Sequence, residues 1–181
     1  MVGQIEQYGN PDGISFLALV REDFVTNGRD WSAPGFRALF VHRFGNWRMS
    51  VEPKVLRAPL SLMYRTMARY VRNHYGIELP FAVRVGRRVA IDHQSGIVIH
   101  GYTVIGDDCR IRQNTTMGVR SLDDPNAAPI LEQGVDVGAG AVIVGRITIG
   151  AGASVGANAV VLQDVPPGAL AIGVPAKIVK R

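Results

Sequence analysis

The chain has 181 residues, 47% apolar, 7% aromatic and 19% charged, with 21 glycines, a composition that excludes a disordered chain and predicts a globular one rich in tight turns. The length fits one core with a small appendage and excludes two large domains. The net charge is +5, and Lys54, Lys177 and Lys180 are the only lysines, so an arginine-rich surface awaits anionic partners. With few aromatics and no Lys/Arg tract running between them, a phosphorylated small ligand suits that surface and nucleic acid does not.

Residues 1–10 show neither the basic and apolar regions of a secretory signal nor a lipid-anchor motif, so a cytoplasmic location is expected. Three stretches then carry helical period: Ile14 to Val25, Pro34 to Met49, and Val55 to His74. The second places Phe36, Leu39, Phe40, Phe44 and Trp47 on one stripe, with Ser32 as its expected N-cap and Pro34 at its start. In the third, Leu56, Leu60, Met63, Met67, Tyr70 and Val71 form a face. Arg57, Arg65, Arg69 and Arg72 break its apolar run, so it cannot span a bilayer. Packing on the rest of the protein with its arginines in water is the ordinary expectation for this helix, and interfacial membrane binding is the alternative.

After Gly76 the period changes to six. Val85, Ile91, Ile99, Ile105, Ile111 and Met117 open successive units, with two extra residues before Ile99, and Leu131, Val137, Ile143, Ile149, Val155 and Val161 resume the pattern. Most units follow the aliphatic with a small or polar residue and place a small or β-branched one fifth. Such repetition predicts a stacked coil in which one aliphatic per unit points inward and Gly, Asn and Asp turn the corners. The stretch from Val119 to Ile130 is polar, holds two prolines and should loop out. The lone Cys109 excludes an intramolecular disulfide and a thiolate zinc cage; it fits the coil as a small apolar filler.

The hexads, D-H-Q-S-G at Asp92 to Gly96 and G-V-P-A-K-I-V at Gly173 to Val179 resemble the hexapeptide-repeat acyltransferases, in particular the serine acetyltransferase branch. The resemblance runs from Glu78 to the C-terminus and, more weakly, over Gly35 to Trp47. It implies a mainly β chain: a left-handed parallel β-helix over 77–181, with a protruding loop at 118–130, preceded by a small helical region over 1–76. It also implies a homotrimer or dimer of trimers, and acetyl-CoA as co-substrate without a metal.

His93 inherits the role of general base and Glu78, in place of the usual aspartate, that of the carboxylate orienting it. Asp92 would face the acceptor, though its alternative is a corner-capping carboxylate. Gly118, Ala139, Ala157 and Lys177 would meet the cofactor. Lys180 and Arg181 could meet its phosphates or form a solvated tail. The Arg-His-Pro sequence that holds the serine carboxylate in the family is Ala127-Ala128-Pro129 here. Alanines cannot supply charged donors, so a sugar hydroxyl of a polysaccharide precursor becomes the expected acceptor and L-serine, held through Arg112 or Arg120, the alternative. Two other classes stay open: a zinc enzyme like the carbonic anhydrases built on the same coil, using His93 and His100, and a non-catalytic binding coil.

Overall fold

The structure, a computed structural model, describes all residues except 1–9, 12, 122, 125 and 181. Residues 1–9 of the stretch expected to lack a targeting signal, and Arg181, therefore lie outside the described residues. Helix α1 is Phe16–Thr26, α2 Pro34–Trp47 and α3 Lys54–Tyr75, with a 3₁₀ turn, Arg48–Ser50, after α2. Among the described residues no helix is long and apolar enough to cross a membrane.

The Ser15 hydroxyl accepts the Ala18 N–H and so caps α1. Ser32 does not cap α2: its hydroxyl is bonded to Asp30, the cap position is Ala33, and Pro34 needs no N–H partner in the first turn. Helix α3 stops at Gly76, whose left-handed conformation lets its N–H reach the Arg72 carbonyl. The expected apolar face of α3 splits in two. Tyr64 and Val71 are buried and Leu60 and Met67 pack beside them, whereas Leu56, Met63 and Tyr70 face solvent. The helix lies against α2 and the first strand along one flank, too narrow a contact to cover both stripes.

Beyond Gly76 the chain winds into a left-handed parallel β-helix of about five turns and three faces. The first face stacks Ile77–Glu78, Ile97–Ile99, Thr116–Gly118, Val142–Val144 and Val160–Val161. The second stacks Arg84–Val85, Val104–Ile105, Ile130–Leu131 and Thr148–Ile149, with Val165 bridging Ile149. The third stacks Ala90–Asp92, Arg110–Arg112, Asp136–Val137, Ser154–Val155 and Leu170–Ile172, and Lys177–Val179 closes it antiparallel.

Two residues per hexad point inward, not one. On the third face Ile91, Ile111, Val137, Val155 and Ala171 form one column, and the fifth-place residues Val89, Cys109, Val135, Ala153 and Ala169 form a second buried one. The short strands let both the first and fifth places turn in on either side of a corner. Cys109 sits in that small-residue column, where burial pushes its thiol up to about 11 and leaves it an unreactive filler. Asp108, Asn114 and Asn158 turn corners in the left-handed region.

A buried ion pair fastens the helices to the coil. Arg43 on α2 donates to Asp23 on α1 at 2.9 Å and to the carbonyls of Val85 and Gly86, with both charged side chains fully buried. The preceding residue, His42, is enclosed, its Nε2 2.8 Å from the Val83 carbonyl, and desolvation holds its pKa down to about 3.

The unfolded chain takes up a proton at His42 below about 6.5 while the folded protein refuses it, so stability falls as pH drops from about 6.5 toward 3. Between pH 6.5 and 5 this one group is expected to remove about 2 kcal/mol. Urea unfolding at those two pH values checks it: the loss should shrink in His42→Gln, and an equal loss in both proteins would contradict the assignment.

Candidate active site

One corner of the coil is longer than those below it. Ile91 pairs with Ile111 and Val98 with Thr116, so the first turn spends two more residues between these rungs than the second. The surplus pushes His93, Gln94 and Ser95 out of the coil into solvent. His93 and Ser95 hold φ of 65° and 89°, conformations that cost a non-glycine residue about 1 kcal/mol or more and cluster at functional sites.

Three backbone hydrogen bonds brace this loop. Ser95 N–H donates to the Tyr75 carbonyl at 2.8 Å, Ile97 N–H to the Gly76 carbonyl at 3.0 Å, and Asn114 N–H to the Ser95 carbonyl at 2.9 Å. A Cβ on Gly96 would lie 2.3 Å from Asn114 Oδ1, so only glycine lets the loop rest on the next turn. The imidazole of His93 is thus carried outward on a backbone fixed by the end of α3 and by the second turn. This positioning device was legible only as a count of two extra residues.

Glu78 stands on the first face beside the inward Ile77, exposed, its carboxylate without a hydrogen bond or ion pair among the described residues. Asp92 does not cap the corner; its carboxylate receives Arg110 at 3.1 Å. Arg112 and Arg120, the expected substitutes for a carboxylate clamp, are both engaged. Arg112 pairs with Asp136 at 2.5 Å, and Arg120 donates to the Leu162 carbonyl at 2.8 Å. The protruding segment is shorter than expected, because Gly118 closes one strand and Ile130 opens the next. In it Ala128 is buried and Ala127 half-buried.

The expected cofactor residues divide. Ala139 and Ala157 occupy the same corner ridge as His93, two and three turns further on, roughly 10 and 14 Å at the usual strand spacing. Their side chains end at Cβ and leave that ridge low enough for a slender ligand arm. The glycines beside them serve the coil itself: a Cβ on Gly138 would lie 2.6 Å from the Ala157 nitrogen. Gly118 and Arg120 lie across the first face from that ridge, and a Cβ on Gly118 would meet nothing nearer than 4.0 Å, so its surface is open. Lys177 and Lys180 are exposed at the far end of the coil. His93 and His100 belong to different corners, and among the described residues no three His, Cys, Asp or Glu side chains gather as a metal site.

A concavity unforeseen in the sequence adjoins Glu78. It encloses about 260 Å³ between α3 and the first strand, with Arg65, Arg69 and Arg72 on one wall and Ile77, Leu79 and Pro80 opposite. The arginines were expected only to break an apolar run; their spacing of four and three was the available signal.

Together the hexad coil and the outward histidine on a braced D-H-Q-S-G corner define a hexapeptide-repeat acyltransferase architecture. No protein-family profile matches the chain. It is 38% identical over 147 residues to serine acetyltransferase of Salmonella typhimurium, covering 81% of this chain and 51% of that protein. Against serine acetyltransferase of Synechococcus elongatus the identity is 35% over 148 residues, or 82% of this chain and 58% of the relative. Soybean serine acetyltransferase apoenzyme shares its fold at a TM-score of 0.77 and 32% identity, over 91% of this chain and 69% of that one. Serine acetyltransferase of Brucella abortus in complex with coenzyme A gives 0.76 at 25% identity, over 90% and 67%. The chain belongs to the serine acetyltransferase family of hexapeptide-repeat acyltransferases. It spans only about half the length of the curated relatives that it matches.

Proposed function

We propose that this chain transfers an acetyl group from acetyl-CoA to a hydroxyl of a small acceptor in the cytoplasm, and that L-serine is that acceptor. The observation that carries the reading is His93, presented outward on a braced corner. The names of the relatives support serine and give no support to the sugar acceptor expected from the loop. That second reading keeps one observation in its favour: Ala127 and Ala128 offer no cation to a carboxylate.

When bound, acetyl-CoA supplies the activated thioester carbonyl. Asp92 faces the acceptor. His93 removes the hydroxyl proton as that oxygen attacks, a contribution of about 100- to 10,000-fold, and returns a proton to the departing sulfur. Glu78 favours the imidazolium that forms in between and fixes the ring's orientation. The ridge of Ala139 and Ala157 accommodates the cofactor arm, with Gly118 and Lys177 contributed across a subunit boundary. The coil, residues 77–181, carries the chemistry, and the helical region, 1–76, buttresses the corner through Tyr75 and Gly76. Glu78→Gln is expected to slow turnover less than loss of the histidine, because it keeps a hydrogen-bond acceptor.

The acceptor is tested by measuring kcat/KM for L-serine beside a panel of nucleotide sugars. Serine should lead, and Ala127→Arg should raise its kcat/KM about tenfold, the worth of one charge-assisted hydrogen bond. A sugar preferred over serine, unaffected by Ala127→Arg, would replace serine in the reading. Since the expected cofactor contacts divide across the first face, the active form should be a trimer or dimer of trimers. Light scattering should then give three or six times 19.6 kDa, and an active monomer would contradict it.

A further inference from the structure

We propose that Arg65, Arg69 and Arg72 on α3 bind the anionic group of the acceptor in the groove beside Glu78, replacing the cations absent at Ala127 and Ala128. This rests on the acetyl-transfer reading and names the specificity wall of that same site. Residues at these spacings share one side of a helix, and all three line the concavity of about 260 Å³ that also contains Glu78.

What marks this stripe is clustering in one cavity without a carboxylate partner. Six arginines elsewhere pair with carboxylates, Arg43 with Asp23, Arg87 with Glu22, Arg88 with Asp108, Arg110 with Asp92, Arg112 with Asp136 and Arg146 with Asp124, and Arg37, Arg48, Arg57 and Arg120 bond to carbonyl or hydroxyl oxygens instead. Helix α3 has no Asp or Glu among its 22 residues. The guanidinium groups of Arg69 and Arg72 make no hydrogen bond or ion pair among the described residues, and that of Arg65 makes only a 3.4 Å bond to the Ser61 carbonyl. Three arginines thus share the lining of one cavity with a single carboxylate residue, Glu78. Their planar forks suit an oxyanion, either a carboxylate or a phosphate.

The position links the stripe to the chemistry. Arg72 lies three residues, roughly 4.5 Å along the helix axis, before Tyr75, whose carbonyl holds the His93 loop at Ser95. An anion seated on Arg69 and Arg72 therefore sits beside the end of α3 that sets the loop, with Glu78 on the same floor. Engagement of Arg112 and Arg120 elsewhere leaves this stripe as the open cationic wall next to the site.

The test uses the full chain and the double variant Arg69→Gln with Arg72→Gln, both exposed positions, with Lys54→Gln as a control on the same helix outside the groove. Calorimetric titration with inorganic phosphate should show binding at least tenfold weaker in the double variant and unchanged in the control. In kinetics the double variant should raise the KM of the anionic acceptor at least tenfold and leave kcat and the KM for acetyl-CoA unaltered. L-serine with serinamide distinguishes the source of the anion. If the carboxylate is bound, only serine loses affinity; if a phosphate is bound, nucleotide sugars do. Equal phosphate binding and equal acceptor KM in both proteins would overturn the proposal. Phosphate binding lost in the double variant, with no transfer to any acceptor by the natural protein, would uphold the anion site and overturn the transferase reading separately.

Discussion

His93→Ala is expected to lower turnover by about two orders of magnitude or more while the protein stays folded. The side chain is exposed and its loop is held by backbone bonds from Ser95, Ile97 and Asn114 rather than by the imidazole, so its removal should spare the fold. The effect should fall on kcat, because a general base acts mainly in the transition state. His93→Gln should be equally slow, since an amide cannot take the proton. An unchanged kcat in either variant, with intact thermal unfolding, would remove His93 from the chemistry.

Asp23→Ala is expected to be the most damaging single change to the fold. It would strand the Arg43 guanidinium, fully buried, and breaking a buried pair from one side costs about 3–5 kcal/mol. For a chain of this size that corresponds to a Tm lower by about 10 °C or more. Asp92→Ala breaks a half-exposed pair with Arg110 and should cost under about 1 kcal/mol. Thermal unfolding of both variants separates these expectations, and similar small shifts would show that Asp23 does not anchor Arg43. The pair adds a polar fastening to the apolar core that α2 and α3 share with the coil: Arg43 spends its remaining donors on the Val85 and Gly86 carbonyls of the first turn.

The coil was legible because its period of six leaves a mark at every turn, and the two surplus residues before Ile99 marked the corner that carries His93. Its second inward column was harder to read. Residues such as Thr103, Cys109, Thr115 and Ala141 are not strongly apolar, yet all are buried, since a narrow triangular core excludes larger side chains. The helical period places the helix boundaries within about two residues, but Ser32 is not the cap that the sequence suggests, because Asp30 competes for its hydroxyl. In α3 the apolar pattern alone could not tell the stripe that packs, Leu60, Tyr64, Met67 and Val71, from the exposed stripe beside it. The role of the three arginines depends on where the first strand passes, a tertiary fact with no local signal.

The central claim, acetyl transfer from CoA to a hydroxyl through His93, is tested most directly by following thiol release from acetyl-CoA by the purified full chain with L-serine, while mass spectrometry counts acetylated product. One thiol released per acetylated acceptor, at a rate that depends on acceptor concentration and is lost in His93→Ala, is the predicted result. Absence of acceptor-dependent thiol release with L-serine and with every sugar tried would contradict it.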